Sequence, residues 1–295
     1  METEKVRKHF NALASSRIKW KRKAKYYHDT LEKLYAFLIP KNSRVLEIGS
    51  GTAELLQSVG PAYGMGIDLA EEMIVVASKK YPHHHFVQMD AQNLSLQEKF
   101  DYVIMSDLIG NLEDVQKAFE EVHKVTDNHS RFIVSYYNTL WEPVITFAEK
   151  IGLKMRQPTQ NWLSQGDIQN LLELANFESI KKGTILLIPI SIPFISNFVN
   201  RFIAKLPFLK HLCLVQYIVA RKKPSLSKDA DYSVSLIIPA RNEEGNIEKL
   251  VNPLNHNLES LEAVYCDLPT FLDSCLTITL APLFVTLKIN PEIYG

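Results

Sequence analysis

Cysteine is scarce in this sequence. Its 295 residues include three cysteines, Cys213, Cys266 and Cys275, whose spacing fits neither a metal site nor a redox motif. Such sparse use of cysteine is typical of a protein from a reducing compartment. The N-terminal stretch METEKVRKHF also lacks the apolar core of a signal peptide. We therefore expect a cytoplasmic location.

An excess of charge of one sign is also missing. The 33 Lys and Arg residues balance the 33 Asp and Glu residues, so composition gives no reason to expect nucleic-acid binding. The longest uncharged run, 183–200, is interrupted by Pro189 and Pro193, which argues against a membrane-spanning helix. The hydrophobic share of 46% and the charged share of 22% are those of an ordinary folded domain.

Alternating β-type and helical patterns run through the first half of the chain. They predict strands at 44–48, 63–67, 84–89, 100–106 and 130–136, and helices near 52–59, 71–80 and 113–125. Such alternation predicts a parallel sheet with helices on both faces. Before it, residues 3–38 have a basic helical pattern that Pro40 ends.

The second half departs from simple alternation. A helix at 165–175 precedes a strand that begins at Asn176-Phe177 and ends near Ile188. Residues 192–206 have helical apolar spacing, and residues 212–221 have the composition of a strand. The pattern of strand, excursion and strand predicts a closing antiparallel hairpin.

The most informative stretch is RVLEIGSGTAELL at 44–56, which is followed by MGIDLA at 65–70. Glu47 and Asp68 each stand near the end of a predicted strand, on either side of a glycine turn. Gly49 and Gly51 lack a Cβ, so the backbone can turn tightly and approach a ligand. The arrangement suits a ligand with an amino-acid part and a ribose.

This stretch resembles the cofactor site of the class I S-adenosylmethionine (SAM)-dependent methyltransferases. The resemblance implies a Rossmann-like, doubly wound, seven-stranded α/β sheet, with Glu47 facing the methionine amino group or sulfonium. It places Ser50 in the glycine turn and gives Asp68 the ribose hydroxyls. The family's third glycine is Ala53 here. A nicotinamide site is the alternative, but Glu54 occupies its third glycine position and Glu47 would sit badly beside a pyrophosphate.

The resemblance extends to residues after the next strands. Leu69 and Met73 are expected to pack on the adenine, with a core role equally open for Met73. Asp90 would accept from the adenine amine and the Ala91 N–H would contact the ring, although a solvated turn aspartate is the alternative. Ser106 and Asp107 end the fourth strand, where open α/β sheets bind ligands. Asp107 is expected to orient the methyl donor or the acceptor's nucleophile.

The N-terminal helical region is expected to cover the methyl-transfer end of such a site. His28 is a candidate general base because histidine commonly titrates near neutral pH, with surface packing as the alternative. The remaining candidates would line the acceptor pocket: Tyr26, Tyr27, Tyr136 and Trp141. No metal site is expected at the three consecutive histidines 83–85, because successive strand residues point to opposite faces.

The basic stretch 17–25 has three interpretations. It is a solvated helix face, or it binds an acceptor that carries phosphate or uronate, or it contacts an anionic membrane together with the apolar region 184–199. The last interpretation implies peripheral membrane contact.

Four regions follow from these patterns: a basic helical cap at 1–43, the methyltransferase domain at 44–221, a polar linker at 222–232 and an appendage at 233–295. The appendage opens with SVSLIIPARNEEGNIEKLV, which resembles the first strand, turn and helix of family 2 (GT-A) glycosyltransferases. Only 44 residues remain after it, too few for that domain. We interpret it as a truncated fusion with an unassigned tail.

The functional expectation is methyl transfer from SAM to an acceptor that the sequence does not identify. The fused segment suggests a small-molecule, glycan or lipid-linked acceptor in envelope metabolism, and a partner glycosyltransferase. The alternative is a non-catalytic SAM-binding or scaffold module.

Overall fold

The computed structural model describes residues 2–158 and 160–224 and three later strands at 233–240, 261–264 and 281–288. Two helices come first, α1 (Glu2–Lys23) and α2 (Lys25–Leu38). As predicted, helical structure stops before Pro40. In the part of the chain that the structure describes, no helix combines the length and apolar character needed to cross a membrane.

Seven strands form one mixed sheet in the order β3-β2-β1-β4-β5-β7-β6. Strand β7 is antiparallel to both β5 and β6, and the other neighbours are parallel. This confirms the doubly wound sheet with its closing hairpin. The strands are β1 (Arg44–Ile48), β2 (Tyr63–Asp68), β3 (His85–Gln88), β4 (Tyr102–Ser106), β5 (Arg131–Tyr137), β6 (Phe177–Ile185) and β7 (Val215–Lys222).

Helices cover both faces of this sheet. They are α3 (Glu54–Val59), α4 (Glu71–Lys80), α5 (Val115–Lys124), α6 (Glu142–Lys150), α7 (Gln165–Leu174) and α8 (Ile195–Arg201). Phe119 of α5 and Leu172 of α7 are buried in one core, and Tyr35 of α2 and Leu56 of α3 in the other. Helix α8 is shorter than predicted because Pro193 precedes it and Phe194 takes a left-handed backbone, with φ of 62°.

The hairpin connection places residues 186–214 at a defined edge of the sheet. Ile185 at the end of β6 pairs with Val215 at the start of β7, and Val215 pairs with Tyr137 at the end of β5. The connection therefore lies at the carboxyl edge of the parallel strands, where this class of sheet binds ligands.

Three strands follow the first compact unit. Strand β8 (Ser233–Ala240) pairs antiparallel with β10 (Ala281–Lys288), which pairs antiparallel with β9 (Leu261–Val264). The predicted strand at the start of the appendage is therefore present. The turn and helix predicted up to Val251, and most of the linker, lie outside the described residues, so the glycosyltransferase resemblance stays a prediction.

The chain divides into two compact units, Met1–Pro224 and Ser225–Gly295. We expect a chain that ends at Pro224 to keep the melting temperature of the sheet domain and its SAM affinity, because β7 and its pairing with β6 are then intact. Thermal unfolding and calorimetry on both lengths test this. A large loss of soluble, folded protein on truncation would show that the appendage belongs to the core.

Candidate cofactor and methyl-transfer site

A cavity of about 950 Å³ opens at the carboxyl edge of the parallel strands. Its walls come from the ends of β1, β2 and β4, from α1 and α2, and from residues after β6. This volume is at the upper end for small-molecule sites, which leaves room for two ligands side by side.

The glycine turn forms the floor of the cavity. Gly49 and Gly51 have left-handed backbones, with φ of 76° and 53°. A Cβ on Gly49 would lie 2.8 Å from Leu108 Cδ1, and one on Gly51 would lie 3.0 Å from Arg17 Nε. The left-handed backbone favours glycine at both positions, and the neighbouring side chains of Leu108 and Arg17 would have to shift to admit a Cβ. Ala53 takes the same left-handed region, with φ of 61°, at the position of the family's third glycine.

Glu47 is a carboxylate in the wall of this cavity with 4% of its surface exposed. Its Oε2 accepts a hydrogen bond from the Leu56 N–H at 3.0 Å. Burial raises the pKa of Glu47 to about 8, against the opposing effect of Lys21. A cation bound beside it would favour the ionised form. This environment suits the role predicted for Glu47, a partner of the methionine amino group.

Both carboxylate oxygens of Asp68 accept hydrogen bonds from the backbone. Its Oδ2 accepts from the Gly51 N–H at 2.8 Å and its Oδ1 accepts from the Ala70 N–H at 2.9 Å. Each carboxylate oxygen has a second lone pair, so two hydroxyls can still bind. Burial raises the pKa of Asp68. Asp68 therefore braces the glycine turn as well as lining the cavity, and the sequence did not indicate the first of these.

The residues predicted for the adenine end lie together at the cavity. Leu69, Met73, Asp90 and Ala91 all line the cavity, and Asp90 Oδ1 accepts from the Gln92 N–H at 2.9 Å. Met73 is buried against Ala14 of α1 as well, so it has the core role left open above, and its packing on the adenine stays a prediction. Helix α1 thus covers the cofactor end of the cavity.

Helix α1 also sends two cations into the cavity. Arg17 lies over Gly51, and its Nε is buried without a hydrogen-bond partner among the described residues. Lys21, one turn later, pairs with Glu54, which also pairs with Lys80 at 2.6 Å. A solvated face was one interpretation of the basic stretch, and it is wrong for these two residues. Their i, i+4 spacing was the available signal.

Asp107 is the most unusual residue of the site. Its backbone is left-handed, with φ of 53°, a strained conformation for a residue other than glycine. Its Oδ2 accepts from the Tyr27 hydroxyl at 2.6 Å, and its Oδ1 is buried without a hydrogen-bond partner in the described ranges. Burial raises the pKa of Asp107 to about 6, against the hydrogen bond from Tyr27. A carboxylate with one oxygen fixed and one free can take a proton.

His28 differs from the expectation. It lines the cavity, but burial and the charges of Lys21 and Arg17 lower its pKa to about 3. The near-neutral pKa on which its assignment as a base rested is therefore wrong. Among the two predicted catalytic residues, Asp107 has the better environment for a base.

The predicted acceptor residues divide into two groups. Tyr26, Tyr27 and Trp141 line the cavity, as does Ser106 from the cofactor set. Tyr136 instead points into the core on the other face of the sheet, and its neighbour Tyr137 lines the cavity. The prediction was wrong by one residue, because successive strand residues face opposite sides.

Comparisons with known proteins agree with this geometry. Residues 46–134 match the family model described as "Methyltransferase domain", a segment that contains the glycine turn, Asp68, Asp90 and Asp107. This segment is a class I SAM-dependent methyltransferase domain. Its cofactor is SAM.

A curated relative and solved structures are also similar to this domain. The chain is 28% identical over 89 residues to a demethylmenaquinone methyltransferase of Chlorobaculum tepidum, which covers 29% of this chain and 37% of that relative. It resembles the structure of a SAM-dependent methyltransferase of Thermotoga maritima, described as a possible histamine N-methyltransferase, with a TM-score of 0.59, 17% identity and coverage of 74% of this chain and all of that one.

A second solved structure contains a cofactor product. Magnesium protoporphyrin IX methyltransferase from Synechocystis, with bound S-adenosylhomocysteine, matches with a TM-score of 0.52, 19% identity and coverage of 76% of this chain and all of that one. At these identities the two structures show the shared fold. The chain spans about two-fifths of the length of the curated relative from Chlorobaculum.

The residues present fit SAM. Glu47 can hold the cationic amino group and Asp68 the ribose, and Arg17, which lines the cavity and whose Nε has no hydrogen-bond partner among the described residues, offers a cation for the carboxylate. We expect Arg17→Ala to weaken SAM binding about ten- to hundredfold, because a charge-assisted hydrogen bond is lost. Calorimetry measures this.

A matched control is Lys19→Ala, which removes an exposed cation from the same helix. As a second probe, 5′-methylthioadenosine lacks the amino-acid part of SAM, and its affinity should be the same for wild type and Arg17→Ala. An equal loss of affinity for both ligands would show that Arg17 only supports the fold of the site.

Proposed function

We propose that this protein transfers a methyl group to an apolar, ring-bearing acceptor of the quinol type, with Asp107 as the base. When bound, SAM supplies an electrophilic methyl group. The observation that carries the proposal is the half-buried Asp107, which lines the same cavity as the cofactor residues and whose buried Oδ1 has no hydrogen-bond partner among the described residues.

Asp107 accepts the proton, and Tyr27 holds Asp107 in place. The Tyr27 hydroxyl holds Oδ2 at 2.6 Å, so Oδ1 keeps a fixed direction. With a pKa of about 6, Asp107 is mostly ionised at neutral pH yet close enough to it to accept a proton efficiently. The acceptor's hydroxyl proton goes to Oδ1, and the electron pair released on the acceptor would form the new bond to the methyl carbon as the bond from that carbon to sulfur breaks, with its electron pair staying on the departing sulfur. On a ring carbon, the displaced ring hydrogen then leaves as a proton and the deprotonated ring oxygen takes one up, which restores the aromatic quinol.

The walls of the cavity support an apolar acceptor. Tyr137, Trp141, Leu153 and Ile188 all line it. Aromatic and aliphatic walls with few polar groups suit a ring that is bound mainly by burial. The name of the Chlorobaculum relative, a demethylmenaquinone methyltransferase, supports a reduced naphthoquinone as the acceptor.

A glycan-linked acceptor has weaker support. It rests on the resemblance of 233–251 to a glycosyltransferase opening, and most of that segment lies outside the described residues. The non-catalytic alternative remains a defined outcome of the experiment below.

The test uses SAM with a labelled methyl group and the purified full chain. Acceptors are reduced demethylmenaquinone with a short side chain and a polyprenyl-linked sugar, each against a blank without acceptor. We expect label in the quinone. Label in the sugar lipid alone would replace the quinol proposal, and tight SAM binding without transfer to either acceptor would favour the scaffold alternative.

A further inference from the structure

We propose that residues 186–214, the connection between β6 and β7, dock the protein on an anionic lipid bilayer. We call this connection the docking segment. Because the docking segment borders the cavity, it would give an apolar acceptor a route from lipid to the site. This route alone rests on the proposed function. The binding to lipid stands on the observations that follow.

Helix α8 in the docking segment has its polar side toward the protein and its apolar side outward. Its polar side chains face the protein: Ser196 Oγ donates to the Ile190 carbonyl at 2.7 Å, and Asn200 donates to the Ile188 carbonyl at 2.8 Å. Asn200 also donates to the Tyr26 hydroxyl at 3.0 Å. A surface helix of a globular protein normally does the reverse and buries its apolar side. The apolar side of α8 is therefore held outward by specific hydrogen bonds.

The outward face is strongly apolar. Phe194 is 92% exposed and Phe208 is 89% exposed. Further exposed apolar side chains lie on the same connection: Phe198, Phe202, Leu206 and Leu212. Single exposed apolar residues are common, but a set of this size on one connection, with the Phe198 and Phe202 ring centroids 5.4 Å apart, indicates an interaction surface. Protruding phenylalanines are a common anchor at the boundary of headgroups and acyl chains.

The charge of the segment selects the kind of partner. No Asp or Glu occurs between Glu178 and Asp229, while Arg201, Lys205 and Lys210 are exposed among the apolar residues. Cations at this position are attracted to anionic headgroups. A second copy of this chain fits less well, because a symmetric contact brings the same patch of each copy together and its cations face one another.

The docking segment borders the cavity and is hydrogen-bonded to a residue of its wall. Ile188 and Pro189 line the cavity wall, and the Trp141 indole donates to the Leu212 carbonyl at 2.8 Å. A bilayer on the outer face of the segment therefore lies beside the cavity wall. An apolar acceptor can pass from lipid to Asp107 along this wall without crossing water.

The experiment is flotation of the full chain with phosphatidylcholine vesicles, with and without phosphatidylglycerol. We expect binding that is stronger with phosphatidylglycerol and falls at high salt. The double variant Phe194→Ser/Phe208→Ser should weaken binding at least about tenfold on both vesicles. Lys205→Glu/Lys210→Glu should weaken it by a similar factor only on vesicles with phosphatidylglycerol.

The matched control is Leu174→Ser. Leu174 is an exposed apolar residue at the end of α7, just before β6 begins at the opposite edge of the sheet. Its loss should leave vesicle binding unchanged. SAM affinity should stay the same in all variants, which shows that each is folded.

Two results would overturn the proposal. One is that wild type fails to float with either vesicle. The other is a concentration-dependent dimer in sedimentation analysis that the phenylalanine variants lose, which would assign the surface to a second copy of the chain. Flotation needs neither turnover nor acceptor, so a failure of the quinol assay does not affect it.

Discussion

Replacing Asp107 by asparagine is expected to lower kcat about 10²- to 10⁴-fold, with SAM affinity nearly unchanged. The size is that of a lost general base. Asparagine keeps the shape and can still accept from the Tyr27 hydroxyl, so the site should remain assembled. Steady-state kinetics with the acceptor that the labelling assay identifies, and calorimetry with SAM, measure the two effects. The control is Asp101→Asn, which changes an exposed acid at the other end of β4.

The pH dependence gives a sharper readout of the same residue. The kcat of wild type should rise with pH through about 6 as Asp107 ionises. Tyr27→Phe should move this rise to higher pH, because the lost hydrogen bond had lowered the pKa of Asp107. A rise at the same pH in wild type and Tyr27→Phe, or full activity in Asp107→Asn, would remove Asp107 from the mechanism.

The free energy of unfolding should also depend on the ionisation of Asp107. Because the pKa of Asp107 is raised from 3.8 to about 6 in the folded state, the unfolded chain releases this proton first. Ionisation of Asp107 therefore lowers stability as pH rises from about 4 to about 6. Asp107→Asn should lack this contribution, whereas the contribution from the raised pKa of Glu47 is the same in both proteins. Urea unfolding across that range compares the two proteins.

Asp68→Ala is expected to weaken SAM binding by about ten- to a few hundred-fold. A carboxylate facing two ribose hydroxyls makes two charge-assisted hydrogen bonds of about 1.5–3 kcal/mol each, partly replaced by water. The substitution also leaves the Gly51 and Ala70 N–H groups without this partner. We therefore expect a loss of stability on the order of 1–3 kcal/mol as well.

Asp101→Ala separates the two effects. Asp101 Oδ2 accepts from the Arg44 N–H at 2.7 Å, so its loss also frees a backbone donor, but at the opposite edge of the sheet. This variant should lose some stability and keep its SAM affinity. If Asp68→Ala and Asp101→Ala bind SAM equally well, the assignment of the ribose site is wrong.

Local patterns predicted the sheet because its strands and its helices both have clear sequence patterns. The strand at Arg44–Ile48 and the helix at Glu71–Lys80 have the predicted boundaries. The first is a short apolar run that the glycine turn ends, and the second begins and ends where charged residues flank an apolar stretch. Residues that end parallel strands meet at one edge of the sheet, so Glu47, Asp68, Asp90 and Asp107 could be brought together from sequence alone.

Other features depend on packing between distant segments. The two faces of β5 are both covered, so the sequence does not say which of Tyr136 and Tyr137 faces the cavity. The pKa of His28 is lowered by burial and by the charges of Lys21 and Arg17, and all three depend on how α1 folds over the cavity. Membrane contact by the apolar region 184–199 was one interpretation of the sequence, but the outward apolar face of α8 did not follow from it, because helical periodicity alone would place that face inward.

The most direct test of the account is calorimetric titration of the purified chain with SAM and, separately, with NADH. Glu47, Arg17 and Asp68 all border one cavity, and together they suit a ligand with a cationic amino group, a carboxylate and a ribose. The account predicts SAM binding in the micromolar range, roughly −8 kcal/mol, and no comparable binding of NADH. Binding of NADH without binding of SAM or S-adenosylhomocysteine would contradict it.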